Sequence, residues 1–279
     1  MPSLFDGIYG TETVNEIYDK IQANYPGFPL SRSDKLWLLR RECGICHDNR
    51  SPETMLEKAV AMLAKRGHMP GWYNQCPVAS GIVGSHSDRR SDVDLVNCSE
   101  SRKNVRLVEL KWGSDNPMSA LQQILRYGVA YIFCRVHRQE LPLHYRSLMD
   151  ARQVSLEVVA PCQYYYGEHS VSRRFDVYAW LDRFGPGDPN RSSVVDSDRI
   201  EIADYLAKTS QSLDEFARSK TDGSLTMSLN GLAFPEEFNK IPFENGQDVR
   251  KKCSTKELSA EGRMVRDAFA GLTPVLSQS

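Results

Sequence analysis

Apolar positions along the chain change period from one stretch to the next, and each change marks an element. From Ser51 the period is helical. Leu56, Ala59, Val60 and Leu63 fall at i, i+3, i+4 and i+7, so one stripe of a helix is apolar. Ser51 can cap this helix, Pro52 suits its first position, Glu53 favours its first turn and Gly67 is a natural stop. Trp72 to Ala79 reads as a strand whose second half Pro77 weakens. Gly81, Gly84 and the polar run to Arg90 read as a turn or loop. Asp92 to Cys98 alternates, with Val93 and Leu95 to one face and Asp92 and Asp94 to the other. Val105 to Trp112 is almost continuously apolar, as suits a strand covered on both faces.

Asn116 and Pro117 then open a second helix, and Met118, Leu121, Leu125, Val129 and Ile132 line its apolar face to about Arg135. Ser155 to Ala160 predicts a fourth strand. The order helix, three strands, helix, strand predicts an α/β fold with helices packed on a sheet. Residues 1–50 read as irregular chain with short helices, including an aromatic-rich piece from Ser33 to Arg41. Helices are expected near 199–218 and 255–270, while 221–250 gives no clear pattern. The expected organisation is an N-terminal helical extension (1–50), a core (51–220) and a C-terminal extension (221–279).

Charged residues in a buried strand are costly unless they are paired or bind metal. Glu109 and Lys111 stand two apart in the most apolar strand of the chain, so their side chains share a face. If the preceding strand is its neighbour in the sheet, Asp94 can reach Glu109. Two hard carboxylates converging in this way suit Mg²⁺ or Mn²⁺. From these three residues alone, a buried ion-pair cluster that serves only the fold is an equal alternative.

The context adds a resemblance. Ser91-Asp92-Val93-Asp94-Leu95-Val96, followed by Glu109-Leu110-Lys111, resembles motifs II and III of the PD-(D/E)XK nuclease superfamily. Glu57 is similar to the acidic residue that many members carry on their first core helix. Gln123-Ile124-Leu125-Arg126-Tyr127 resembles the Gln-x-x-x-Tyr signature of the RecB-type branch, and its two polar residues share a helical face at i, i+4. The match covers about residues 51–165 and departs from the family at Val93, where a proline usually stands. Asp92 is therefore a competing ligand; Asp94 is preferred because Leu95-Val96 follows it directly.

The resemblance implies a restriction-endonuclease-like αβββαβ core, with a mixed central sheet flanked by helices and terminal extensions. It also implies hydrolysis of phosphodiesters, of DNA more than RNA, with a homodimer left open. Asp94 and Glu109, with the Leu110 carbonyl and Glu57, would hold one or two divalent metals. Lys111 would orient a water or stabilise the transition state, Gln123 would support the lysine or substrate, and Tyr127 could contact the nucleic-acid backbone. Arg89 and Arg90 are further candidate substrate contacts. For Gln123 and Tyr127, ordinary helix packing is an equal alternative. The rival to a nuclease is the same fold without catalysis, acting in nucleic-acid binding or assembly.

Charge narrows the partners. With 35 basic and 36 acidic residues the chain is no bulk-charge nucleic-acid coat. Short basic clusters at Arg40-Arg41, Arg89-Arg90, Arg102-Lys103, Arg173-Arg174 and Arg250-Lys251-Lys252 are more often solvated surface than phosphate contacts. No stretch approaches the roughly 18 apolar residues of a membrane span. The first residues show no secretory signal, so the cytoplasm is the expected compartment. Seven scattered cysteines are expected to be mostly reduced, buried and inert. Cys43-Gly44-Ile45-Cys46-His47 matches a c-type haem attachment pattern, but that chemistry normally requires export. A zinc site there would need His68, Cys76 or His86 to complete it, and no spacing compels this. Pro161-Cys162-Gln163-Tyr164-Tyr165-Tyr166 fits aromatic packing at the sheet edge better than base stacking.

Overall fold

The computed structural model describes residues 11–24, 36–44, 51–78, 91–98, 101–112, 117–141, 143–166, 189–238 and 258–275. Helix α1 spans Thr11–Asn24 and α2 spans Pro52–Lys65. The ends of α2 follow from its sequence. The Ser51 hydroxyl accepts the Thr54 N–H at 3.1 Å. At the other end Gly67 takes φ +84°, its amide donates to the Ala64 carbonyl, and His68 N–H donates to Leu63. Only a residue at ease with positive φ closes the last turn this way. The predicted stripe of Leu56, Ala59, Val60 and Leu63 is buried throughout.

Among the described residues, six strands form one mixed sheet in chain order: β1 (Trp72–Pro77), β2 (Asp92–Cys98), β3 (Asn104–Leu110), β4 (Gln153–Ala160), β5 (Thr226–Ala233) and β6 (Thr273–Pro274). β1, β2 and β3 pair antiparallel, β4 joins β3 in parallel, β5 joins β4 in parallel, and β6 returns antiparallel. A parallel neighbour needs a long crossover. Helix α3 (Pro117–Val136) lies between β3 and β4, and the short α4 (Cys162–Tyr166) and long α5 (Pro189–Lys220) lie between β4 and β5. Helix α6 (Ala260–Ala270) precedes β6.

The chain is thus α/β, with helices on both faces of the sheet. One apolar layer joins α1, α3 and α5 to the sheet through Tyr18, Leu121, Ile124, Phe216, Leu107 and Leu156. The other joins α2 and α6 through Leu56, Leu63, Leu95, Val108, Leu110 and Phe269. Helix α3 lies so close to β4 that a Cβ on Gly128 would stand 2.3 Å from Leu156 Cδ1. Any larger residue there would force the Leu156 side chain or the helix to shift.

Several expectations change in detail. The aromatic-rich piece is not helical where it is described: Arg40 bridges Asn74 antiparallel, and Trp37 N–H donates to the Pro77 carbonyl at 2.9 Å. This segment covers the outer edge of β1, and Trp37 is wholly buried edge-on to Tyr131. The stretch 221–250 holds β5, whose buried and half-buried positions alternate from Thr226 to Ala233. Its apolar signal is diluted by Ser228, Asn230 and Gly231, and Asn230 Nδ2 donates to the Ser155 and Ser228 hydroxyls at 3.0 and 3.1 Å. The helix expected near 199–218 starts at Pro189, and that expected from 255 is described from Ala260. Asn116 and the Gly81–Arg90 loop lie outside the described residues. No helix among those described is long and apolar enough to cross a membrane.

Candidate active site

The site begins with strand register. Leu95 pairs with Val108 and Val96 with Leu107, so one step further along the ladder sets Asp94 across from Glu109. Alternation places both carboxyls on the face that carries Val96 and Leu107, the face covered by α3. Lys111, just past the end of β3, shares that side, and its amide donates to the Val159 carbonyl at 3.0 Å. Its ammonium lies 3.1 Å from Glu109 Oε1. Glu109 and Lys111 are 2% and 8% exposed, so this pair is within the protein and not on its surface. Leu110 enters through its amide, which donates to Asp94 Oδ2 at 2.8 Å.

Electrostatics separates the two aspartates of β2. Burial, then the facing Glu109 carboxylate, holds the Asp94 carboxyl well above the ordinary range; Glu57 adds to this, while the Leu110 amide and Lys111 oppose it. Asp92 is raised by burial alone, with Arg40 and Lys58 opposing, and its carboxylate lies 3.7 Å from the Arg40 guanidinium. Asp94 is therefore the aspartate that shares a site with Glu109.

Glu57 stands on α2, over the other face of the sheet, and acts on Asp94 only through its charge. Burial raises its carboxyl, and Lys58, Asn74 and Gln75 pull it back. Its Oε1 accepts from Asn74 Nδ2 at 2.5 Å and lies 3.5 Å from Lys58 Nζ. On the α3 side, Gln123 Nε2 donates to the Tyr127 hydroxyl at 3.2 Å. Burial, then the Glu109 charge, pushes that hydroxyl up, and Asp94 and Asp92 add to the effect. Tyr127 thus lies within electrostatic reach of the carboxylates. Arg89 and Arg90 lie outside the described residues.

Two hard oxygen donors with more negative than positive charge between them fit Mg²⁺ or Mn²⁺. Such ions are commonly held by one or two carboxylates, with waters and phosphate oxygens completing the shell. Asp94 and Glu109 meet that description. Among the described residues, no group of three or more His, Cys, Asp or Glu side chains is arranged to hold a metal ion. Glu57, engaged by Asn74 and Lys58, does not complete a third ligand.

Of the five described cysteines, Cys76, Cys98 and Cys134 are buried and Cys43 and Cys162 half-buried. Cys46, His47 and His86 lie outside the described residues. Tyr164 and Tyr165 are buried and edge-on, and the Tyr165 hydroxyl donates to the Val158 carbonyl at 2.7 Å, which is packing at the sheet.

Sequence pattern overlooked four contributors. Lys58 reads as helix surface but is 4% exposed. Asn74 is wholly buried and joins Glu57 to the Glu42 backbone. Gln75, opposite Asp94 by the flanking pairs of β1 and β2, takes φ +49° inside a strand, and Arg40 Nε donates to its carbonyl at 2.8 Å. That strain beside the carboxylates is the kind a functional site stores. Glu53, expected only to favour the first turn of α2, accepts the Trp112 N–H at 2.9 Å and so ties α2 to the residue after Lys111. Polar residues inside a strand bounded by Trp72 and Cys76 were the available signal. Comparisons with family models, curated proteins and solved structures find no match to this chain.

Proposed function

We propose that this chain is a metal-dependent nuclease that hydrolyses phosphodiester bonds, first of all in DNA, at Asp94, Glu109 and Lys111. The observation that carries the reading is the register that sets the Asp94 carboxyl across from Glu109, with the Lys111 ammonium 3.1 Å from Glu109. The order α2, β1, β2, β3, α3, β4, antiparallel up to β3 and parallel at β4, supports a restriction-endonuclease-like core for the same reason.

Asp94 and Glu109 would hold Mg²⁺ or Mn²⁺, which supplies a more acidic water and neutralises charge on phosphate. The chain's own groups do the rest. The Leu110 amide fixes one Asp94 oxygen, leaving the carboxyl a single orientation. Glu109 holds the Lys111 ammonium beside the carboxylates, where its charge can meet the charge that develops on phosphate. Tyr127, steadied by Gln123, lines the α3 side where it can meet the nucleic-acid backbone.

The test is incubation with plasmid and single-stranded DNA in Mg²⁺ or Mn²⁺, beside Glu109→Ala and Lys111→Ala. Wild type should cut, EDTA should stop it, and each variant should be slower by at least about a hundredfold. Variants that cut as fast as wild type would overturn the reading.

A further inference from the structure

Far along the same strands lies a second group of charged side chains that the carboxylate site does not use. Asp94 and Cys98 are four residues apart on β2, about 13 Å at ~3.3 Å per residue. At that far end the Arg41 guanidinium stacks over the Tyr73 ring at 4.7 Å, and the Arg102 guanidinium over Tyr145 at 5.1 Å. Each is tethered once more: Arg41 Nε donates to the Trp72 carbonyl at 3.1 Å, and Arg102 to the Ser147 hydroxyl. Trp72, which holds Arg41, pairs with Asn97, and the Cys98 amide donates to the Gly71 carbonyl at 3.0 Å, so Arg41 lies at the end of β2 that leads into Arg102. The His144 ring meets Tyr145 at 5.1 Å.

Exposed cations extend this patch. The Arg152 and Gln153 amides donate to the Lys103 carbonyl at 2.8 and 3.0 Å, which brings the exposed side chains of Lys103 and Arg152 together. Arg146 is exposed between Tyr145 and Ser147. Among the described residues, no ion pair neutralises any of these five cations. Asp150 is taken by Arg138 at 2.6 Å, and exposed Glu42 is the acid beside Arg41. The chain as a whole carries a charge of −1, so this positive charge is a local feature.

We infer that this patch binds the backbone of a single-stranded nucleic acid. Ring-stacked guanidiniums are held flat and carry donors beyond the one each uses within the protein, which suits phosphate. The exposed His144 ring beside them offers a face to an unpaired base. An anionic membrane fits less well, because an interfacial surface also needs large apolar side chains to insert. Among the described residues the exposed large hydrophobics are Val136 and Met264, and neither belongs to the patch. The inference does not depend on hydrolysis at Asp94 and Glu109.

The experiment is fluorescence anisotropy of a labelled oligothymidylate in EDTA, from about 50 to about 200 mM salt. Two variants are compared with wild type: Arg41→Ala/Arg102→Ala, and Lys103→Ala/Arg152→Ala, whose exposed side chains spare the packing. Each should bind about tenfold more weakly at low salt and lose about 1.4 from the slope of log affinity against log salt, ~0.7 per lost phosphate contact. Binding by wild type without any cleavage would support the patch while the nuclease reading fails. Unchanged affinity in the Lys103→Ala/Arg152→Ala variant, with cleavage intact, would overturn the patch alone. Equal wild-type affinity for polyglutamate or phosphatidylserine vesicles would overturn its assignment to nucleic acid.

Discussion

Strand β3 carries charge on both faces of the sheet, and the two groups are completed in opposite ways. On the α2 side, Arg106 stacks over Trp72 at 5.3 Å and reaches Glu157 on β4 through three hydrogen bonds of 2.7 to 2.9 Å. One cation meets one anion, bidentate, and the charge is closed. On the α3 side, the Lys111 ammonium lies 3.1 Å from Glu109, and burial, then the facing Glu109, pushes Asp94 up. A buried pair made only for the fold should resemble the first group, because uncompensated charge is costly inside a protein. The second group sets two carboxylates across from one another, an arrangement that a divalent cation would relieve. That difference separates a structural ion pair from a candidate site.

The largest effect should come from breaking the open cluster. Asp94→Ala should slow cleavage by at least about a hundredfold, about 2.7 kcal/mol of transition-state stabilisation. Arg106→Ala should leave the rate per folded molecule unchanged, as single-turnover assays on plasmid would show. Next comes stability. Arg106→Ala strands a buried carboxylate and should cost about 2 kcal/mol in urea unfolding, below the ~3–5 of a fully buried pair because the guanidinium is about one third exposed. Asp94→Asn should act the other way, raising metal-free stability at neutral pH by about 1 kcal/mol, since it removes the like charge facing Glu109 and keeps the Glu109–Lys111 pair. A loss of stability in Asp94→Asn would mean that the carboxylates do not repel.

The smallest effect is in pH dependence. The folded Asp94 carboxyl holds its proton more tightly than the unfolded chain, whose aspartates titrate near 3.8. Its contribution is therefore fully present below that value and is lost as pH rises through the raised folded value. Asp92 and Glu57, also raised, add with the same sign. In EDTA, wild type should lose thermal stability relative to Asp94→Asn as pH rises from 3.8, and Mg²⁺ should shrink the gap. A gap between the two proteins that stays constant across pH would contradict the shift.

Part of this was legible because some costs are local. A helix announces itself when its cap, apolar stripe and stop agree, as Ser51, Leu56 to Leu63 and Gly67 do. Asp94, Glu109 and Lys111 stood out because a charge inside an apolar run needs a reason. Lys58 did not, since a lysine on a helix is ordinarily solvated; only the packing of α2 on the sheet buries it. Gln75 could not be read either, because nothing local says that a glutamine will be held at φ +49°.

Pattern along the chain was sufficient for the alternation of helix and strand and for which residues carry charge into the interior, because periodicity and burial cost act over a few neighbouring residues. Pairing across distance was decided in three dimensions. Arg106 and Glu157 are 51 residues apart, and Arg40 and Asn74 are brought together across a sheet edge. The register that sets Asp94 opposite Glu109, and Arg106 within reach of Glu157, depends on all strands settling together. No local segment contains that information, since each strand would pair as well one step away if its neighbours allowed it.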